Sequence, residues 1–177
     1  MSEILFFVGT FTDGRPYFDG AKGEGIITCA LNTDTGHLER RHTYRDILNP
    51  DYIAYDPKRR MLFSIADNLT AAGKVVAFRV ATDGELKLLS DASSRAPVSC
   101  HICVGEEEVY TASYMESCLT AHAITPNGVG ELRREFRYQG TGPNKARQEA
   151  SHAHQSIISP DGRQLFVCDL EIGRAHV

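Results

Sequence analysis

Arginine, glutamate and histidine crowd into one stretch of the chain, Gly140-Thr-Gly-Pro-Asn-Lys-Ala-Arg-Gln-Glu-Ala-Ser-His-Ala-His154. Arg147, Glu149, His152 and His154 bring a cation, a carboxylate and two imidazoles together. Together they can supply an acid, a base and a positive charge at one place. The apolar pair Ile157-Ile158 follows, closed by Ser159-Pro-Asp-Gly162, and reads as a short strand and a turn. A strand that fixes a loop, and a loop that presents acid, base and cation, make a natural reactive site. Solvation of a surface loop would explain one Arg or one His, but this density of polar groups favours a site.

The elements that must position this loop are strands. Helical periodicity is almost absent, and short β-branched and aromatic runs alternate with Gly, Asn, Asp and Pro turns, which predicts an all-β protein. The runs also repeat. Asp51-Tyr-Ile-Ala-Tyr-Asp-Pro57 aligns with Cys100-His-Ile-Cys-Val104 and with His154-Gln-Ser-Ile-Ile-Ser-Pro160. Second strands are expected at 61–66, 108–112 and 164–168, and third strands at 74–80 and 119–124. Turns at Thr82-Asp-Gly84 and Pro126-Asn-Gly128 precede fourth strands starting near Leu86 and Leu132. The period of about 48 residues is that of four-stranded β-propeller blades.

Ile4–Val8 and 25–31 fit the second and third strands of a first blade whose first strand is missing. The pattern thus supplies about three and a half blades, where closed rings take roughly four to eight. The expectation is that residues 1–170 are the N-terminal half of a single propeller domain. Residues 171–177, Glu-Ile-Gly-Arg-Ala-His-Val, break the repeat and match the in-frame translation of a common sequencing adaptor. They are read as a non-native tail, so Arg174 and His176 enter no functional argument.

In a propeller the first strand of each blade lines the central channel, and the loop leading into it opens on one rim. His101 and His154 start two neighbouring first strands, and Arg147, Glu149 and His152 lie on the loop before one of them. All five are expected at one channel mouth. His37, His42 and His122 fall on outer strands or turns and receive no role. Zinc held by His101, His152 and His154 ranks second, because loop histidines more often donate hydrogen bonds than hold metal. No metal and no cofactor are expected.

Composition narrows the partners. A chain of 177 residues with net charge −4 suits one soluble globular domain. Glu131 and Glu135 dilute the cluster Arg133, Arg134 and Arg137, so nucleic acid is not expected as a partner. Ile4–Val8 is too short for a signal-peptide core, and no run reaches membrane-spanning length, so no membrane partner is expected. Five scattered cysteines argue against a disulfide framework and for a reducing cytoplasm. Cys100 and Cys103 sit at opposite-face spacing on a strand and are read as core residues.

With these residues in view, the sequence resembles the seven-bladed β-propeller lactonases typified by bacterial 6-phosphogluconolactonase. The resemblance spans residues 1–170. It rests on Val8-Gly-Thr-Phe-Thr12, Gly25-Ile26, Thr35-Gly-His-Leu38, Asn49-Pro-Asp-Tyr-Ile-Ala54, Gly73-Lys-Val-Val-Ala-Phe78 and Cys100-His-Ile102. Most specific are Gly140-x-Gly-Pro-Asn144, Arg147-Gln-Glu149 and His152-Ala-His154 followed by Ser159-Pro-Asp-Gly162. Two departures stand out. Ser151 replaces the Pro usual before His-Ala-His and is expected to loosen the loop slightly. Ala112-Ser-Tyr-Met-Glu116 replaces an Asn-Tyr-Gly-rich turn.

The resemblance implies hydrolysis of a sugar δ-lactone, 6-phosphoglucono-1,5-lactone, a small-molecule sugar phosphate. Glu149, His152 or His154 would be the base that activates water. Arg147 and His101 would face the oxyanion. Asn144, Lys145, Gln148 and Arg147 would bind the phosphate. Two alternatives stay open: a lactone-forming muconate cycloisomerase with a similar His, Arg and Glu set, and a non-catalytic binding scaffold.

Overall fold

The computed structural model describes residues 3–173 and the backbone of 175–176. Of the tail set apart above, Arg174, Val177 and the side chains of Ala175 and His176 lie outside the described residues. The apolar runs become strands in four antiparallel sheets. The first sheet holds β1 (Glu3–Val8), β2 (Ile26–Asn32) and β3 (Leu38–Tyr44). The second holds β4 (Ile53–Asp56), β5 (Met61–Ala66), β6 (Lys74–Val80) and β7 (Leu86–Ser93), in that spatial order. β8 (Ser99–Val104), β9 (Glu108–Ser113), β10 (Cys118–Thr125) and β11 (Gly128–Arg137) form the third in the same way. The fourth holds β12 (Ala153–Ile158), β13 (Leu165–Asp169) and two backbone positions of β14 (Ala175–His176). This is an all-β partial propeller of four-stranded blades, with no helix among the described residues.

Side-chain alternation along the central strands decides which blade meets which. A strand sends successive side chains to opposite faces. In β5, Met61, Phe63 and Ile65 therefore pack with Val75 and Ala77 of β6 against Ile102, Val109 and Val129 of the third blade. Leu62, Val76, Phe78 and Val80 point the other way and meet Ile26 of the first blade. A smaller cluster of Ala112, Leu119, Ala153 and Val167 joins the third blade to the fourth. Both faces of the second blade are thus apolar, which is why its central strands read as continuous hydrophobic runs rather than as alternation.

One boundary moves. The last strand of the third blade begins at Gly128, not near Leu132, because Thr125 pairs with Gly128 and closes a hairpin with only Pro126 and Asn127 at its tip. Gly128 has φ 107°, open to glycine, and a Cβ there would sit 2.5 Å from the Ser90 hydroxyl of the neighbouring blade. His122 lies on β10 and is buried, with Nδ1 lacking a partner among the described residues.

Each inner strand is pinned at its start by a repeated backbone bond. Asp67 N–H donates to Asn49 C=O (3.3 Å), Tyr114 N–H to Val98 C=O (2.8 Å) and Leu170 N–H to His152 C=O (3.1 Å). Asn49, Val98 and His152 are therefore structurally equivalent. Asn49 and Val98 share a left-handed backbone, φ 41° and 54°. Asn tolerates that region, whereas a β-branched side chain clashes there. Val98→Asn is accordingly expected to raise stability by about 1 kcal/mol, read as an upward shift of the denaturation midpoint. A lower midpoint would show that contacts of the Val98 side chain outweigh its backbone strain.

Candidate active site

The inner strands β4, β8 and β12 pack side by side, and the loops that lead into them share a rim with the loops leaving β5, β9 and β13. By the equivalence above, Asp51, Cys100 and His154 occupy one level of three successive blades. Tyr52, His101 and Gln155 occupy the next. Cys100 and His154 are each an extra residue in a β-bulge, against Ser113/Ala112 and Asp169/Cys168 respectively. A bulge re-aims the side chain it carries, and such bulges recur beside active sites.

The rim is built around Tyr114. Its ring stacks on His152, with centroids 4.2 Å apart and planes at 16°, and meets His154 edge-on at 6.2 Å and 87°. The buried His152 ring has both nitrogens engaged: Nδ1 is 3.0 Å from Tyr114 C=O and Nε2 is 3.2 Å from Glu149 Oε1. Glu149 is exposed, and its own backbone N–H together with the His152 ring holds its carboxyl below the usual range. It is therefore a carboxylate at neutral pH. His154 is exposed, and its ring nitrogens have no hydrogen-bond partner among the described residues.

His101 lies against Tyr52, with centroids 4.3 Å apart. Burial, and then the nearby His154, hold its imidazole below the ordinary range, so it is neutral at neutral pH. Its Nδ1 faces the Ser156 N–H at 3.5 Å, a long contact that leaves Nε2 as the N–H donor. A neutral donor of this kind suits an oxyanion.

Arg147 and Lys145 are exposed on the long loop. Arg147 pairs with Glu171 through two contacts, 2.7 Å and 3.2 Å. Gln148 is spent within the protein: Oε1 accepts from Asn144 N–H (3.0 Å) and Nε2 donates to Glu171 C=O (2.7 Å). It braces the turn, and Gly142 makes room for it, since a Cβ there would fall 2.3 Å from Oε1. Asn144 Oδ1 accepts from Ala146 N–H at 3.2 Å.

Ser151 does not loosen the loop. It is buried, donates to Asp169 Oδ2, and its hydroxyl lies 2.8 Å from that of Ser117. Asp169 also accepts the His152, Glu171 and Ile172 N–H groups, and these bonds hold its carboxyl low against the opposing effect of burial. The serine thus locks the base of the His-Ala-His segment by hydrogen bonds where a proline would lock it by its ring. Tyr114 and Tyr52 are the contributors that motif reading passes over. The only available signal was their place in the repeat, at the end of a second strand and the start of a first.

Chemically, the rim assembles a free imidazole (His154), a neutral imidazole donor (His101), a carboxylate–imidazole pair (Glu149, His152) and exposed cations (Arg147, Lys145). Among the described residues, no three His, Cys, Asp or Glu side chains are grouped to hold a metal.

Known proteins share this arrangement of blades. The 6-phosphogluconolactonase of Formosa agariphila is 28% identical over 169 residues, which cover 93% of this chain and 46% of that protein. The Bacillus subtilis (strain 168) 6-phosphogluconolactonase is 28% identical over 182 residues, covering 99% and 49%. The crystal structure of a candidate 6-phosphogluconolactonase from Bacteroides fragilis superposes with a TM-score of 0.88 at 26% identity, over 99% of this chain and 48% of that one. The chain spans about half the length of these relatives, 46% to 49%. The family model described as "Lactonase, 7-bladed beta-propeller" matches residues 5–177. With its blades, its repeat and its extent of match all agreeing, the chain belongs to the seven-bladed β-propeller lactonase family.

Proposed function

We propose that this chain contributes the N-terminal half, residues 1–170, of a lactonase that hydrolyses a sugar δ-lactone, 6-phosphoglucono-1,5-lactone, to its open acid. The observation that carries the reading is the convergence of His101, Arg147, Glu149, His152 and His154 on one rim. The names of the relatives support the substrate class. His154 is the base, because its nitrogens are free while both nitrogens of His152 are committed. Glu149 orients His152, whose ring in turn braces Tyr114 against His154. His101 Nε2–H and Arg147 face the oxyanion, and Arg147, Lys145 and Asn144 take the phosphate, with Gln148 as the brace of their turn.

The Arg147–Glu171 pair is no obstacle. The guanidinium is 69% exposed while the Glu171 side chain is 7% exposed, and a phosphate offers the guanidinium a bidentate charge-assisted contact in exchange. Glu171 is also the first residue of the segment read as a non-native tail. We assign the protein to the cytoplasm on its five scattered cysteines, free thiols in the structure; among the described residues no helix is long and apolar enough to cross a membrane. The test is hydrolysis of 6-phosphoglucono-1,5-lactone by the complete propeller, followed as acid release. A rate no faster than spontaneous opening would reject the reading.

A further inference from the structure

Two carboxylates at the same rim have no part in this scheme. Asp67, in the loop after β5, is 1% exposed, and its Oδ1 accepts the Ser99 N–H at 2.7 Å. Its other oxygen, Oδ2, is buried with no partner among the described residues. Asp51 leads into β4 at the level of His154, half-buried, and its Oδ1 is likewise buried without a partner. The ionisable groups facing Asp51 are Asp67 and the Cys100 thiol at the start of β8. Among the described residues, neither carboxylate is paired with an Arg, Lys or His.

Two buried acids with orphaned oxygens and no cation between them cannot both ionise cheaply. Burial, and then the neighbouring Asp67, push the Asp51 carboxyl up to about 7. Burial pushes Asp67 up to about 6. The Cys100 thiol is driven up to about 12 by burial and by both aspartates, so it stays protonated and supplies no charge to offset them. It donates to His154 C=O at 3.3 Å, which ties the aspartate level of the second blade to the His154 bulge of the fourth.

Lactone opening must place a proton on the departing ring oxygen. His154, once it has taken the water proton, is the one group assigned so far that carries one, and His101 and Arg147 only stabilise charge, so an acid separate from His154 would serve the ring oxygen without a transfer from His154. We propose that Asp51 is the acid that protonates the departing ring oxygen, with Asp67 as the positioning residue that keeps Asp51 in its acid form; this rests on the lactonase reading. In the step, the water oxygen bonds to the carbonyl carbon as His154 takes a water proton, and the carbonyl electron pair moves onto its oxygen. That pair returns, the bond from carbon to ring oxygen breaks with its electrons going to the ring oxygen, and the ring oxygen takes the Asp51 proton. The His154 imidazolium then returns its proton to Asp51 through solvent.

The test is made on the complete propeller with 6-phosphoglucono-1,5-lactone. Wild-type kcat/KM is expected to fall as pH rises through about 7. Asp51→Asn is expected to lower it about 100-fold below that pH and to abolish this alkaline limb. Asp67→Asn, which removes the repulsion, is expected to move the limb to lower pH while retaining activity. Infrared difference spectra supply a reading independent of turnover. The protonated-carboxyl band that disappears as pH rises through about 7 should be missing in Asp51→Asn, leaving the Asp67 band that disappears through about 6. An active wild type with an unchanged rate and profile in Asp51→Asn overturns the role of Asp51 and leaves the lactonase reading standing. Absence of the Asp51 band below the transition shows an ionised carboxylate and overturns it too. An inactive wild type overturns both.

Discussion

Arg147→Ala in the complete propeller is expected to lower lactonase kcat/KM by about 100- to 1000-fold while leaving the fold intact. Arg147 is exposed and pairs with Glu171, whose side chain is 7% exposed and also accepts the Tyr114 hydroxyl at 3.0 Å. Glu171 keeps that second donor when Arg147 is removed, so the cost to stability is expected to be about 1–3 kcal/mol, too small to unfold the domain. The effect on catalysis falls on the transition state, where loss of a preorganised donor costs roughly 3 kcal/mol. Steady-state kinetics and a thermal melt on the same preparation separate the two. A folded variant with wild-type kcat/KM would remove Arg147 from the site.

Phe63→Ala is expected to destabilise the protein by about 3–5 kcal/mol, the cost of deleting a buried aromatic ring and leaving a cavity. Phe63 is 0% exposed and stands in the cluster that joins the second blade to the third, against Ile102 and Val109. Those two partners sit on β8 and β9, whose strands carry His101 on one side and lead to Tyr114 on the other. Loss of the ring should thus loosen the rim as well as the core, and activity should decline before global unfolding. Urea denaturation measures the first effect. A change below about 1 kcal/mol would show that the two blades do not depend on this contact.

Much of the architecture was legible because a propeller writes its period into the chain. Met61–Ala66 and Lys74–Val80 were placed to the residue, since both faces of those strands are buried and the apolar runs end where burial ends. The start of β11 was missed because Gly128 to Arg137 is mostly polar and exposed, so no apolar signal announced a strand held by backbone pairing. At the rim, residue types and the repeat were enough to bring the His, Arg and Glu groups to one side. They did not show that Gln148 turns inward, that Ser151 is an anchor, or that Tyr114 stacks between the histidines. Each of those depends on a contact between segments distant in sequence, within the fourth blade for Gln148 and also across blades for Ser151 and Tyr114, and sequence spacing carries no record of such contacts. Asp51 and Asp67 passed unnoticed for the same reason, because an aspartate in a turn looks like any solvated turn residue until both neighbours are seen to bury it.

The most direct measurement is the pH dependence of 6-phosphoglucono-1,5-lactone hydrolysis by the complete propeller, compared with that of its His154→Ala variant. The account predicts rapid acid release by the wild type and loss of that acceleration in the variant, because His154 is the rim imidazole left free to take the water proton. A variant that hydrolyses the lactone as fast as wild type across the pH range would contradict it.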